Sequence, residues 1–303
     1  MAEQSFDKTR KRNQLDCKDA TDVHHLPRDK YAAIADDTLK KFQAGLSNTR
    51  GNHRNVNLQH DLRFSIENTI VYTEDDLITT TLMKSSSSPV YEIRHCTTLQ
   101  AAESLASEID DDNRIGILNF ASAKNPGGGF LKGSNAQEES IARSSSLYLA
   151  LSQDRIFPQF YGYHRREKNG LYTHRIIYSP RITIIKDDNG KMLSSPYHVG
   201  IVTCAAPNAS ICQDIELTRQ TMKERIRCLL TVFQMHRHDV VVLGAFGCGV
   251  FKNDPREVAL AFREHLQSDE FRNVFSRIIF AIFDADMHHV FEEVFAISQY
   301  QGK

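Results

Sequence analysis

The sequence predicts an α/β protein organised on a mixed, largely parallel sheet, and three observations carry that expectation. From residue 90 onward, short apolar β-rich runs alternate with segments of helical spacing, as expected for strands joined by crossover helices. Two glycine-rich loops each follow such a run, so both leave the carboxyl end of a strand, where open α/β sheets collect their ligands. Helix-start signals stand where this alternation requires them, most clearly Asp254-Pro255-Arg256-Glu257.

Residues 1–28 are charged and almost free of large apolar side chains, which predicts a loose tail ahead of a single domain over 29–303. Within an N-terminal extension over 29–85, Tyr31, Ile34, Ala35, Leu39 and Phe42 have helical spacing and stop at Gly45. The polar stretch 51–60 reads as a loop, 69–72 and 91–94 as strands, and the serines 85–88 as a connection. A helix from Thr98 to Leu105 leads to a buried strand over 114–120. Ile141, Ser145, Tyr148 and Leu151 then share one helical face, whereas 155–170 is aromatic and polar without a clear period. The runs 175–178 and 182–185 flank Ser179-Pro180-Arg181 and predict antiparallel strands or one bent extension, closed by the Asn189-Gly190 turn. Strands at 198–203, 240–243 and 278–283 alternate with helices at 217–235, from Pro255, and from Met287.

Composition narrows the function. Lys plus Arg at 37 against Asp plus Glu at 38 leaves a net charge of -1, so no global field draws the chain to nucleic acid or membrane surfaces. An anionic ligand has to be met locally. The cysteines, Cys17, Cys96, Cys204, Cys212, Cys228 and Cys248, lack CxxC spacing, and the N-terminus is too polar for a signal peptide. An intracellular protein, cytoplasmic or nuclear, with no membrane span is the expectation.

The candidate site starts at Asn125-Pro126-Gly127-Gly128-Gly129, where three glycines permit positive φ and close approach of a ligand to bare amides. After seven intervening residues stands Gln137-Glu138-Glu139. Ser134 with Gln137 has capping-box spacing and predicts a helix from about Asn135, with both glutamates in its first turn. The second loop, Gly244-Ala245-Phe246-Gly247-Cys248-Gly249-Val250-Phe251, is the other candidate phosphate cradle. A P-loop is excluded because Ser134-Asn135 stands where Lys and Ser or Thr are needed, and neither loop carries the dinucleotide glycine spacing. Cys248 has no histidine placed by sequence as its base, so a small residue in a loop wrap is preferred to a nucleophile. Asp284, Asp286, His288 and His289 could gather round a metal, but the same residues serve as a helix cap with surface histidines.

The triple glycine, the seven-residue spacing and Gln-Glu-Glu, followed by the second loop, resemble the microbial-type poly(ADP-ribose) glycohydrolases of the macrodomain superfamily, over residues 27–299. That resemblance implies a macrodomain-like three-layer α/β/α fold that hydrolyses ribose–ribose bonds of poly(ADP-ribose) and releases ADP-ribose. It implies poly(ADP-ribose) and ADP-ribosylated proteins as substrate, no cofactor, no metal, no direct DNA binding and a monomer. Glu139 would be the general acid and Glu138 a ribose holder. Asn119 and Asn125 would be ribose-facing amides, Gln137 their support, and Gly247, Cys248, Gly249, Val250 and Phe251 the cover over the diphosphate, opposite Gly127, Gly128 and Gly129. Hydrolysis of another ADP-ribosyl linkage, or a reader without activity, are the alternatives. The adjacent carboxylates argue against a reader, because two negative charges gain nothing in binding an anionic diphosphate. The acid faces a tension, since a helix N-terminus favours the ionised carboxylate whereas an acid must start protonated.

Overall fold

The computed structural model describes residues 25–48, 55–77, 88–109 and 114–296. Most of the expected tail and the serines 85–87 lie outside them. In chain order the elements begin with α1 (Arg28–Ala44), the hairpin β1 (Leu46–Asn48) and β2 (Asn55–Asn57), α2 (Gln59–Asn68) and β3 (Ile70–Tyr72). There follow β4 (Val90–Arg94), α3 (Thr98–Glu108), β5 (Ile115–Phe120), α4 (Gln137–Ser144), α5 (Leu147–Leu151) and α6 (Tyr161–His164). The chain continues through β6 (Ile176–Lys186), β7 (Met192–Cys204), α7 (Ile215–Met235), β8 (Val240–Leu243), α8 (Pro255–Gln267), β9 (Arg277–Ala281) and α9 (Ala285–Ala296).

Among the described residues, seven strands form one sheet in the order β3-β6-β7-β5-β8-β9-β4. From β7 to β4 neighbouring strands are parallel; β6 runs antiparallel to both β3 and β7. Alternation along each strand builds two cores. Leu118, Val241, Val202 and Phe280 face α7, α8 and α9, whereas Ile117, Val242, Ile201 and Ile279 face α3, α4 and α5. The result is the expected three-layer α/β/α arrangement. None of the described helices is long and apolar enough to cross a membrane.

Local chemistry explains most boundaries. Gly45 closes α1 in the left-handed region at φ 72, and its N–H bonds Phe42 O. Thr97 and Gln100 form a reciprocal capping box at the start of α3. Asp254 accepts the amides of Arg256 and Glu257 ahead of Pro255.

Three sequence expectations need correction. Residues 55–60 do not form a loop: they hold β2 and the first turn of α2, a polar helix that hides little beyond Ser65 and so shows almost no apolar stripe. The helix carrying the glutamates starts at Gln137, with Ala136 rather than Ser134 as its N-cap. The face Ile141 to Leu151 belongs to two helices, because extended Ser145 breaks the run by pairing with Ile184. For the runs flanking Pro180 the structure has the second expected alternative, one bent strand, β6, whose register slips between Ser179 and Ile182, where Arg181 has φ 48 and pairs with Asp61.

Candidate active site

A cavity of about 880 Å³ opens over the carboxyl ends of β5, β8 and β9. Its walls come from the two glycine loops, the first turn of α4, and the segments that follow β4 and β9. Both loops therefore converge, as their positions after strands predicted.

Gln137 anchors the first loop to the sheet. Its Nε2 donates to Leu118 O at 2.7 Å and Thr98 Oγ1 at 3.1 Å, and its Oε1 accepts Phe120 N–H at 2.8 Å. Every polar atom of this amide is thus engaged in holding α4 against β5. Glu138 then points inward, 3% exposed, with Oε2 accepting Ser122 N–H at 2.6 Å and Oε1 receiving Asn119 Nδ2 at 3.4 Å. Burial pushes its carboxyl up to about 8 against the opposing pull of the Ser122 amide, and the charge of Glu139 adds to the rise. Burial therefore favours the protonated form of Glu138. Glu139 remains at the cavity, with Oε1 accepting Gly129 N–H at 2.9 Å and Oε2 accepting Ala136 N–H at 3.1 Å.

The glycines play a different part from the one their bare amides suggested. Gly128 N–H is spent on Asn125 O and Gly129 N–H on Glu139, so neither amide is left for a diphosphate. What matters is the missing Cβ. At Gly128, with φ 61, a Cβ would stand 2.3 Å from Glu139 Oε1; at Gly129 it would stand 2.4 Å from Ser134 Oγ. Gly127 is not part of the cavity wall, and a Cβ there would press on Phe130 and Ala142. The triple glycine lets the carboxylates lie against the loop.

The second loop does offer amides. Those of Gly247, Gly249, Val250 and Phe251 have no hydrogen-bond partner among the described residues, and all four residues line the cavity. Gly249 has open space where a Cβ would stand, and Val250 is 76% exposed. Phe251 is half-buried, its ring 6.2 Å from that of Tyr172. Cys248 is the exception: it turns into the core, its amide bonds Ala245 O, and burial pushes its thiol up to about 12. It does not line the cavity. Asn119 is fully buried, bridging Thr203 Oγ1 and Glu138 rather than lining the cavity. Asn125 does line it, with Oδ1 held by Arg165 at 3.0 Å.

Two contributors escaped the sequence reading. The start of α1 is built into the site: Gly133 sits against Arg28 O, Tyr31 stacks on the Arg143 guanidinium at 4.3 Å, and His25 lines the cavity. Asp188, read only as part of a turn, reaches the cavity wall and accepts Ser140 Oγ and Thr97 Oγ1, each at 2.6 Å. Burial raises its carboxyl above the usual range. The Asn-Gly signal beside it concealed its role. The four candidate metal ligands do not converge: Asp284 caps α9 through Met287 N–H, while His288 and His289 pair with Glu292 and Glu293. No metal-holding cluster of His, Cys, Asp and Glu occurs among the described residues.

The family model for the catalytic domain of microbial-type poly(ADP-ribose) glycohydrolase matches residues 35–187. The solved poly(ADP-ribose) glycohydrolase of Thermomonospora curvata is 35% identical, covering 88% of this chain and 99% of its own, with a TM-score of 0.81. The same enzyme bound to the inhibitor ADP-HPD aligns with a TM-score of 0.78. The Deinococcus radiodurans enzyme in complex with ADP-ribose is 36% identical over 77% of this chain and 96% of its own, with a TM-score of 0.70. No curated protein sequence matches.

Proposed function

The chain belongs to the microbial-type poly(ADP-ribose) glycohydrolase family, and we propose that it hydrolyses ribose–ribose O-glycosidic bonds of poly(ADP-ribose), releasing ADP-ribose, with Glu139 as general acid. The observation that carries the assignment of roles is the split between the two carboxylates. Both line the cavity, but Glu138 is 3% exposed and bonded to Ser122 N–H and Asn119, whereas Glu139 is only half-buried, against the Gly129 and Ala136 amides.

Cleavage breaks the bond between the ribosyl anomeric carbon and the 2′-oxygen of the adjoining adenosine ribose. Glu139 gives its proton to that departing oxygen, and the ribosyl ring passes through an oxocarbenium-like state. Water then adds to the anomeric carbon, and the Glu139 carboxylate takes its proton, which restores the acid. The diphosphate lies under the free amides of Gly247, Gly249, Val250 and Phe251, with Phe251 against the ribose. Its negative charge beside the reacting ring stabilises the cation. Glu138, protonated and held by Ser122, faces a ribose hydroxyl with Asn125.

The enzyme works without a metal, as a monomer with no direct DNA contact. An intracellular location fits the five described cysteines, all of which are free thiols. Residues 29–303 form one catalytic unit in this reading, since α1 completes the glutamate loop. Incubation of the purified chain with poly(ADP-ribose) in excess chelator, with chromatography of the products, is the test. Free ADP-ribose is expected; an intact polymer would remove the assignment.

A further inference from the structure

The Asn125 side of the cavity continues into a surface of arginines and aromatic rings that the reaction does not use. Arg165 reaches the catalytic loop, with Nε donating to Lys124 O at 2.9 Å and an Nη to Asn125 Oδ1 at 3.0 Å, while its guanidinium lies 4.8 Å from the Phe157 ring centre. Beyond it, the Tyr163 ring has Arg175 at 4.2 Å and Arg166 at 5.4 Å. Lys168 stands two residues further on, exposed like Arg165 and Arg166. None of these three cations has a carboxylate partner among the described residues. Glu74 and Asp76 are close enough to Arg175 to be stabilised as anions by it, so the uncompensated charge falls on Arg165, Arg166 and Lys168.

This grouping gathers three exposed cations on one short segment of a chain whose net charge is -1. Flat guanidinium groups stacked on rings present faces on which nucleobases stack, and unpaired cations attract phosphates. The feature is continuous with the cavity through the Arg165–Asn125 bond. Resting on the poly(ADP-ribose) reading above, we propose that Arg165, Arg166, Lys168 and the Tyr163–Arg175 stack form a subsite for a second ADP-ribose unit, where polymer passes out of the cavity beside Asn125. Its diphosphate meets Arg166 and Lys168, and its adenine stacks on the guanidinium-covered ring. A chain longer than one unit is thereby gripped outside the cavity, whereas free ADP-ribose, confined to the cavity, is not.

The test uses the full chain carrying R166E and K168E together, both at exposed positions, and a separate Tyr163→Leu variant. Steady-state hydrolysis of long poly(ADP-ribose) is measured at several salt concentrations, with calorimetric titration of ADP-ribose alongside. For R166E/K168E, the KM for polymer is expected to rise about tenfold and its logarithmic salt slope to fall by roughly 1.4, the value for two lost phosphate contacts on a single strand. ADP-ribose affinity is expected to change less than twofold, and Tyr163→Leu to raise the polymer KM several-fold. An unchanged polymer KM in R166E/K168E, or an equal loss of ADP-ribose affinity, overturns the subsite. A wild-type chain that leaves polymer intact refutes the glycohydrolase reading itself, which is a separate outcome.

Discussion

Replacing Glu138 by Gln should change the pH dependence of stability before it changes anything else. The carboxyl rises from an ordinary 4.5 to about 8 on folding, chiefly because burial removes water from the charged form. The native state thus keeps a proton that the unfolded chain releases between those two values. The associated stability is fully present below about pH 4.5 and is lost as pH rises through about 8. At about 1.4 kcal/mol per pH unit, the whole rise corresponds to roughly 5 kcal/mol, an upper bound because water entering at high pH screens the new charge. Gln preserves the shape and the acceptor for Ser122 N–H but cannot ionise. Melting curves at pH 5.5 and 8.5 are the assay. The Tm of Glu138→Gln minus that of the wild type should be several degrees more positive at pH 8.5, on a scale of about 2–4 °C per kcal/mol for a domain of this order. An identical difference at both pH values would refute a buried, protonated Glu138.

Two glycine substitutions should separate the loops. Gly128→Ala should lower both stability, by about 1 kcal/mol or more, and polymer turnover, because its Cβ collides with Glu139 at a φ that disfavours side chains. Gly249→Ala has open space and should melt like the wild type while binding ADP-ribose more weakly by calorimetry; unchanged affinity would remove the second loop from the diphosphate. Asp188→Asn leaves an amide facing two hydroxyls that both donate, so α4 shifts and kcat should fall roughly tenfold with KM little changed in steady-state assays. A kcat equal to the wild type's would confine Asp188 to turn geometry.

The strand and helix alternation after residue 90 was legible because buried parallel strands such as Val240–Leu243 are continuously apolar and stand apart from polar helices. Helix α2 was not, since its packing depends on few apolar contacts, Leu58 and Leu62 against Phe42 and Ile185, that become neighbours only after folding. Gln137-Glu138-Glu139 located the cavity, and only the family resemblance, not the spacing, divided roles among them. What no spacing shows is their burial: with Gln137 stitched to β5, Glu138 is buried and Glu139 half-buried, both at the cavity wall. The same limit explains the glycines. Their need for positive φ is visible at Gly127 and Gly128, but whether their amides stay free is decided by Asn125 O and by the Glu139 carboxylate. Asp188 and Arg28 reach the site across long sequence separations that no local pattern records.

Single-turnover cleavage of poly(ADP-ribose) by Glu139→Gln, with ADP-ribose titrated into the same preparation, tests directly which carboxylate donates the proton. General-acid contributions are about 10²-fold or more, so the cleavage rate should drop by at least that factor while ADP-ribose affinity stays within a few-fold. Cleavage by Glu139→Gln at close to the wild-type rate would contradict the assignment.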